Sequence, residues 1–121
     1  MTAAQEDKLD FMWRQMAHQR FRNKSVISGK PAEDVHHFYG RRNRATRWYL
    51  PNAIPLTHEE HMRLHGEETE AMEATIIEIL GVPWFENLRM VSNKIAKYID
   101  FQDVCDHLDG QKEHYLKIWY V

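Results

Sequence analysis

The spacing of apolar positions divides the chain into segments of two different periods. Leu9, Met12, Trp13 and Met16 recur at the three- and four-residue intervals of one helix face. Thr2, followed three residues later by Gln5, has the form of a weak capping box, so a helix is predicted over about 3–19. The period is lost over 21–31, where Asn23, Ser25, Ser28, Gly29 and Pro31 mark turns. Residues 34–39 and 53–56 read as two short strands of an irregular hairpin. Gly40 breaks the first, Pro51-Asn52 turns the chain into the second, and Pro55 keeps that strand short or at an edge. Thr57 and Glu60 then form a second capping box at the head of a helix that carries His61 and His65 and points Met62, with Leu64 as a second candidate, toward the core. After Gly66, which either kinks the chain or lies inside one longer helix, Met72, Ile76, Ile79 and Leu80 form a stripe that Gly81 and Pro83 end. Trp84, Leu88, Val91, Ile95 and Tyr98 predict a further helix to about residue 99, and 101–108 a last short one closed by Asp109-Gly110.

These elements make an α+β fold, mostly α. At 121 residues the chain is expected to be one domain. Within it, 1–25 form an N-terminal helix and loop, 30–67 a hairpin-plus-helix unit, and 68–121 a helical C-terminal extension. The extension and its apolar tail, 114–121, offer a surface to the core, a second subunit or a protein partner. The single cysteine, Cys105, excludes an internal disulfide and a cysteine-based zinc knuckle. The first fifteen residues have neither a basic start nor an apolar run, and no stretch reaches the ~18 apolar residues of a membrane span. A cytoplasmic protein is therefore the expectation. A net charge of −2 says little about partners, but its distribution says more. Residues 20–47 hold eight bases against Glu33 and Asp34, whereas 59–86 are strongly acidic. That segregation suits one face to a polyanion.

Five of the eight histidines fall within 34–66. His61 and His65 are one helical turn apart, so their rings leave the same face. Met62 stands where a zinc protease would need glutamate after the first histidine, so that chemistry is excluded. His36 and His37 are adjacent on a strand, where neighbours alternate between faces. Both reach one site only if the strand ends or bulges there. Asn52 lies 15 residues after His37, at the entrance to the second strand. A lone pair of histidines at either spacing is more often incidental than metal-binding. The combination of His-His hairpin, basic loop, asparagine and capped two-histidine helix is far more specific. His58 is expected to be exposed, and His18, His107 and His114 have no companions at ligand spacing.

Over about residues 30–67 this arrangement resembles the HNH, or ββα-metal, endonucleases, and is most similar to the three-histidine variant found in colicin-type DNases. The resemblance implies that His36, His61 and His65 are the metal ligands, that His37 is the general base and that Asn52 is the motif's structural asparagine, placed with the catalytic set. Asp34 and Lys30 stand where the colicin enzymes have an acidic residue and an arginine, and lysine is a poorer bidentate phosphate grip. The paired glycines of the family's loop are replaced by Arg44-Ala45-Thr46.

The implied activity is metal-dependent hydrolysis of DNA phosphodiester bonds, with little sequence preference, by a phage or bacterial type of DNA-processing protein. Three neutral imidazoles suit one divalent ion, Zn²⁺, Mg²⁺, Mn²⁺ or Ni²⁺, and leave a coordination position open. His37 would accept a proton from water, its ring oriented by a backbone carbonyl. Lys30, Arg41, Arg42, Arg44 and Arg47 are the candidates for DNA backbone contacts. The alternative is a nucleic-acid-binding or assembly module that keeps the metal as a structural staple. A toxin catalytic domain is disfavoured by the slightly acidic net charge.

Overall fold

A computed structural model describes residues 1–116. Helix α1 spans Ala3–Arg20, strand β1 Asp34–His37 and strand β2 Ala53–Leu56, with a 3-10 turn at Leu50–Asn52 leading into β2. Helices α2 His58–Leu64, α3 Thr69–Leu80, α4 Val82–Ser92 and α5 Phe101–Leu108 follow. Among the described residues the fold is a mostly helical α+β arrangement of five helices and one two-stranded antiparallel sheet. No helix among them is long and apolar enough to cross a membrane.

The helix starts form as their caps dictate. Both Thr2 and Thr57 accept from the backbone three residues on, while Gln5 and Glu60 reach back to the cap residue's own N–H. Each box satisfies two backbone donors that the first helical turn would otherwise leave without partners. Glu60 is held further by the Ser25 hydroxyl at 2.5 Å, which ties the loop after α1 to the head of α2.

The hairpin register sets the rest. Val35 pairs with Pro55, His36 with Ile54 and His37 with Ala53. Directly paired residues share a face, and successive residues alternate. Val35 and Ala53 accordingly belong to a core with Leu9, Trp13 and Ala17 of α1, together with Leu88, Val91, Val104, Leu108 and Tyr115. Ile54 and Leu56 belong to a second core with Leu64 of α2 and Met72 and Ile76 of α3. Thus α1 packs on one face of the hairpin and α2 on the other. All four β2 residues are buried. Pro55 lacks a donor, but its carbonyl still accepts from Val26 N at 3.0 Å.

Three expectations change, and one open alternative is decided. Strand β1 stops at His37 rather than Tyr39, because Asn52 takes over both backbone groups of Tyr39: Oδ1 accepts from its N–H at 2.8 Å and Nδ2 donates to its carbonyl at 2.9 Å. Helix α4 ends at Ser92, well short of residue 99. The Asn93 N–H closes onto the Arg89, Met90 and Val91 carbonyls, and Ile95 lies 73% exposed with no surface to bury against. Met62 is 60% exposed, and Leu64 is the residue of α2 that enters the core. Gly66 lies in a turn that separates α2 from α3, so no single helix runs through it. In the tail, Tyr115 and Leu116 are buried in the first core, while Lys117 to Val121 lie outside the described residues.

Candidate metal centre

Three histidines converge between β1 and α2. One ring nitrogen from each of His36, His61 and His65 lies within 4.8 Å of the others, a group able to hold a metal ion. The local reasons are plain. His36 leaves the Ile54 face of the strand, and the Thr57 cap fixes where α2 begins, which sets His61 beneath that face. His65, one turn later at the C-cap, completes the set. The His36 ring meets His61 and His65 edge-on, with centroids 5.2 Å away in each case.

The polar groups of this cluster are incompletely matched. His36 is buried, and its Nε2 has no hydrogen-bond partner among the described residues. Burial, and then the neighbouring His61 and His65 charges, push its pKa down to about 3, so the ring is neutral at physiological pH. His61 Nδ1 donates to Asp34 Oδ2 at 3.0 Å. A carboxylate only accepts, so the proton sits on Nδ1 and the lone pair of His61 is on Nε2. That Nε2 lies 3.0 Å from His65 Nε2. At this distance His65 Nε2–H donates to His61 Nε2, and a cation could take the place of that proton. The donor set of neutral imidazoles with a carboxylate behind one of them therefore fits a borderline divalent ion. His65 is exposed, which leaves the cluster open on one side.

Asp34 also accepts from His58 Nδ1 at 2.9 Å, so His58 is exposed, as expected, yet engaged. Burial alone would raise the Asp34 carboxyl, but the bonds from His61 and His58 outweigh it and hold its pKa below the usual value.

His37 is not part of this group. It leaves the strand toward α1, where its ring stacks on Trp13 with centroids 3.9 Å apart and planes 12° from parallel. Its Nε2 lies 3.0 Å from the Arg47 carbonyl. Because the carbonyl accepts, Nε2 carries the hydrogen and the free lone pair is on Nδ1. Burial pushes the His37 pKa down to about 4. The ring lines a cavity of about 450 Å³ with Asp7, Asp10, Trp13, Arg14, Val35 and Arg41. The strand neither bulges nor breaks before His37, and strand alternation sends the adjacent rings to different helices.

The arginine loop is largely engaged within the fold. Asp10 accepts from Arg47 Nε at 3.2 Å and Nη2 at 2.9 Å, from Arg41 Nη2 at 3.0 Å and from Trp48 Nε1 at 2.8 Å. Arg44 pairs with Glu6 at 2.8 Å. The Arg47 side chain is only 11% exposed and stands over the Trp48 ring. Arg42 and Lys30 are exposed and make no ion pair among the described residues. Asn52, fully buried, joins the hairpin ends through Tyr39 and makes no side-chain hydrogen bond to His36, His61 or His65 among the described residues.

The sequence reading missed Asp10, yet a signal was present. Asp10, Trp13 and Ala17 lie at helical spacing, which places a carboxylate on the core side of α1. His107 was assigned no role; it is a buried packing residue that accepts from Leu50 N at 3.1 Å and donates to the Lys112 carbonyl at 3.0 Å. No protein-family model, curated protein or solved structure matches the chain.

Proposed function

We propose that the chain is a metal-dependent endonuclease of the HNH, ββα-metal type that hydrolyses DNA phosphodiester bonds. His36, His61 and His65 hold one divalent ion, and His37 is the general base. The observation that carries this reading is the convergence of three imidazole nitrogens within 4.8 Å, with Asp34 fixing the tautomer of one of them. When bound, the ion supplies a Lewis acid that draws charge from phosphorus and stabilises the leaving oxygen.

The remaining roles belong to the chain. Asp34 keeps Nδ1 of His61 protonated, so that its Nε2 is always the donor. The Arg47 carbonyl does the same for His37 in reverse, holding hydrogen on Nε2 and leaving Nδ1 to accept a proton. With its pKa near 4, His37 is unprotonated at pH 7 and ready as a base, although a weak one. Asn52 keeps the strand ends together and so preserves the position of both histidines without touching substrate.

The test is plasmid nicking in Mg²⁺, Mn²⁺, Ni²⁺ or Zn²⁺, with wild type and His37→Ala. Cleavage by the wild type and none by His37→Ala, with metal still bound, is expected. Retained cleavage by that variant removes His37 from its role. One observation favours a second reading. The His37 ring packs against Trp13 on the α1 side of the hairpin, away from the three-histidine group, as a structural residue would. On that reading the ion is a staple in a binding or assembly module, and metal raises the melting temperature while no ion supports nicking.

A further inference from the structure

Of the bases in the loop, only Arg42 faces solvent without an ion pair among the described residues. Arg41, Arg44 and Arg47 are committed to Asp10 and Glu6 of α1. A different basic segment lies beside that loop. Residues 87–99 contain Arg89, Lys94 and Lys97 and no acidic residue. All three are exposed and make no ion pair among the described residues. The Asn43 side chain donates to the Ser92 carbonyl at 2.9 Å, pinning the arginine loop against the end of α4. Arg42, exposed and likewise without an ion pair among the described residues, is the next residue to that contact, and Lys94 is two residues past it on the other side. Met90, 65% exposed, and Ile95, 73% exposed, lie in the same segment of the chain.

We infer that Arg42, Arg89, Lys94 and Lys97 form a binding surface for a nucleic-acid strand. This rests on the phosphodiesterase reading above, because that reading makes the natural polyanion a nucleic acid. Unpaired cations on flexible stems neutralise successive phosphates and release counterions, which gives tight but salt-sensitive binding. Exposed apolar side chains between them suit the sugar and base faces of the same strand. An anionic lipid surface fits less well, since residues 93–98 are not helical and present no continuous apolar face. The surface is assembled from positions about fifty apart in sequence, Asn43 and Ser92, joined by one side-chain hydrogen bond.

The experiment is fluorescence anisotropy of a labelled oligonucleotide with the full chain in EDTA, so that neither metal nor cleavage enters. Lys94→Glu/Lys97→Glu and Arg42→Glu are compared with wild type across a salt series, and Lys94→Gln/Lys97→Gln removes charge without reversing it. The double reversal is expected to weaken binding at least tenfold, and the neutral pair to flatten the slope of log K against log salt by about 2. Binding by these variants equal to wild type, or wild-type binding to phosphatidylserine vesicles and not to the oligonucleotide, overturns the inference. Failure of the plasmid assay with these oligonucleotide results intact would remove the nuclease and keep the surface.

Discussion

The two faces of the hairpin differ in how far they are finished. On the α1 face, His37 is stacked on Trp13 and bonded to the Arg47 carbonyl, and the Asp10 carboxylate is filled by Arg41, Arg47 and Trp48. On the α2 face, His36 Nε2 has no partner among the described residues, and the Nε2 atoms of His61 and His65 confront each other at 3.0 Å. The two histidines of β1 are neighbours in sequence, so the difference lies in what the facing helix supplies. Helix α1 brings a carboxylate and an indole ring, and α2 brings more imidazole. Neutral imidazoles can satisfy one another only around a proton or a cation, whereas a carboxylate among guanidinium groups is complete by itself. One face stabilises the fold, and the other carries a group able to hold a metal ion.

The largest effect should come from the finished face. Asp10→Ala leaves the largely buried Arg47 guanidinium with only the 3.7 Å contact to Glu6, and urea unfolding should show a loss of about 3 kcal/mol. Metal affinity of the folded fraction should stay near that of wild type. A variant that unfolds like wild type would break the comparison at once.

On the open face the pattern reverses. His65 is exposed, so His65→Ala should change metal-free stability by no more than about 0.5 kcal/mol. Its Zn²⁺ or Ni²⁺ affinity by calorimetry should fall by more than the roughly 100-fold that loss of a supporting partner can cause. Unchanged affinity would remove His65 from the ligand set. Asp34→Asn leaves all three imidazoles and loosens only the orientation of His61, so a smaller drop, about 10- to 100-fold, is expected. An Asp34→Asn protein that binds as tightly as wild type would show that the tautomer is fixed by something else.

Acid should act on both faces at once. His36 and His37 have folded pKa values near 3 and 4, below the ordinary 6.5. The unfolded chain therefore takes up these protons first. Their contribution is fully present above about pH 6.5 and is lost as pH falls through 4 toward 3. Metal-free melting temperatures should decline over that window, and His37→Gln should make the decline shallower. A melting temperature independent of pH from 7 to 4 would contradict the buried, neutral state of both rings.

Much of the architecture could be read directly from local signals. The two capping boxes marked the starts of α1 and α2, the structural part given to Asn52 is met through its bonds to Tyr39, and His61 and His65 were placed on one helix face. The end of α4 could not be read this way. Ile95 continues an apolar period, but a period records only which residues could share a face, not whether anything lies opposite. The ion pairs of Arg41, Arg44 and Arg47 were hidden for a related reason. The density of these arginines suggested a polyanion, and the acids that engage them, Glu6 and Asp10, are more than thirty residues earlier.

The sequence by itself determined the local elements and the supply of imidazoles, because capping, turn chemistry and helical spacing act over a few residues. Only the tertiary structure decided which rings meet. Strand alternation had already sent His36 and His37 to opposite faces, but whether each face held a carboxylate, an indole or more imidazole depended on which helix packed there. That choice is made by burial of Leu9 and Trp13 on one side and of Leu64 and Ile76 on the other. Hydrophobic packing is non-directional, and it joins residues without regard to their separation along the chain.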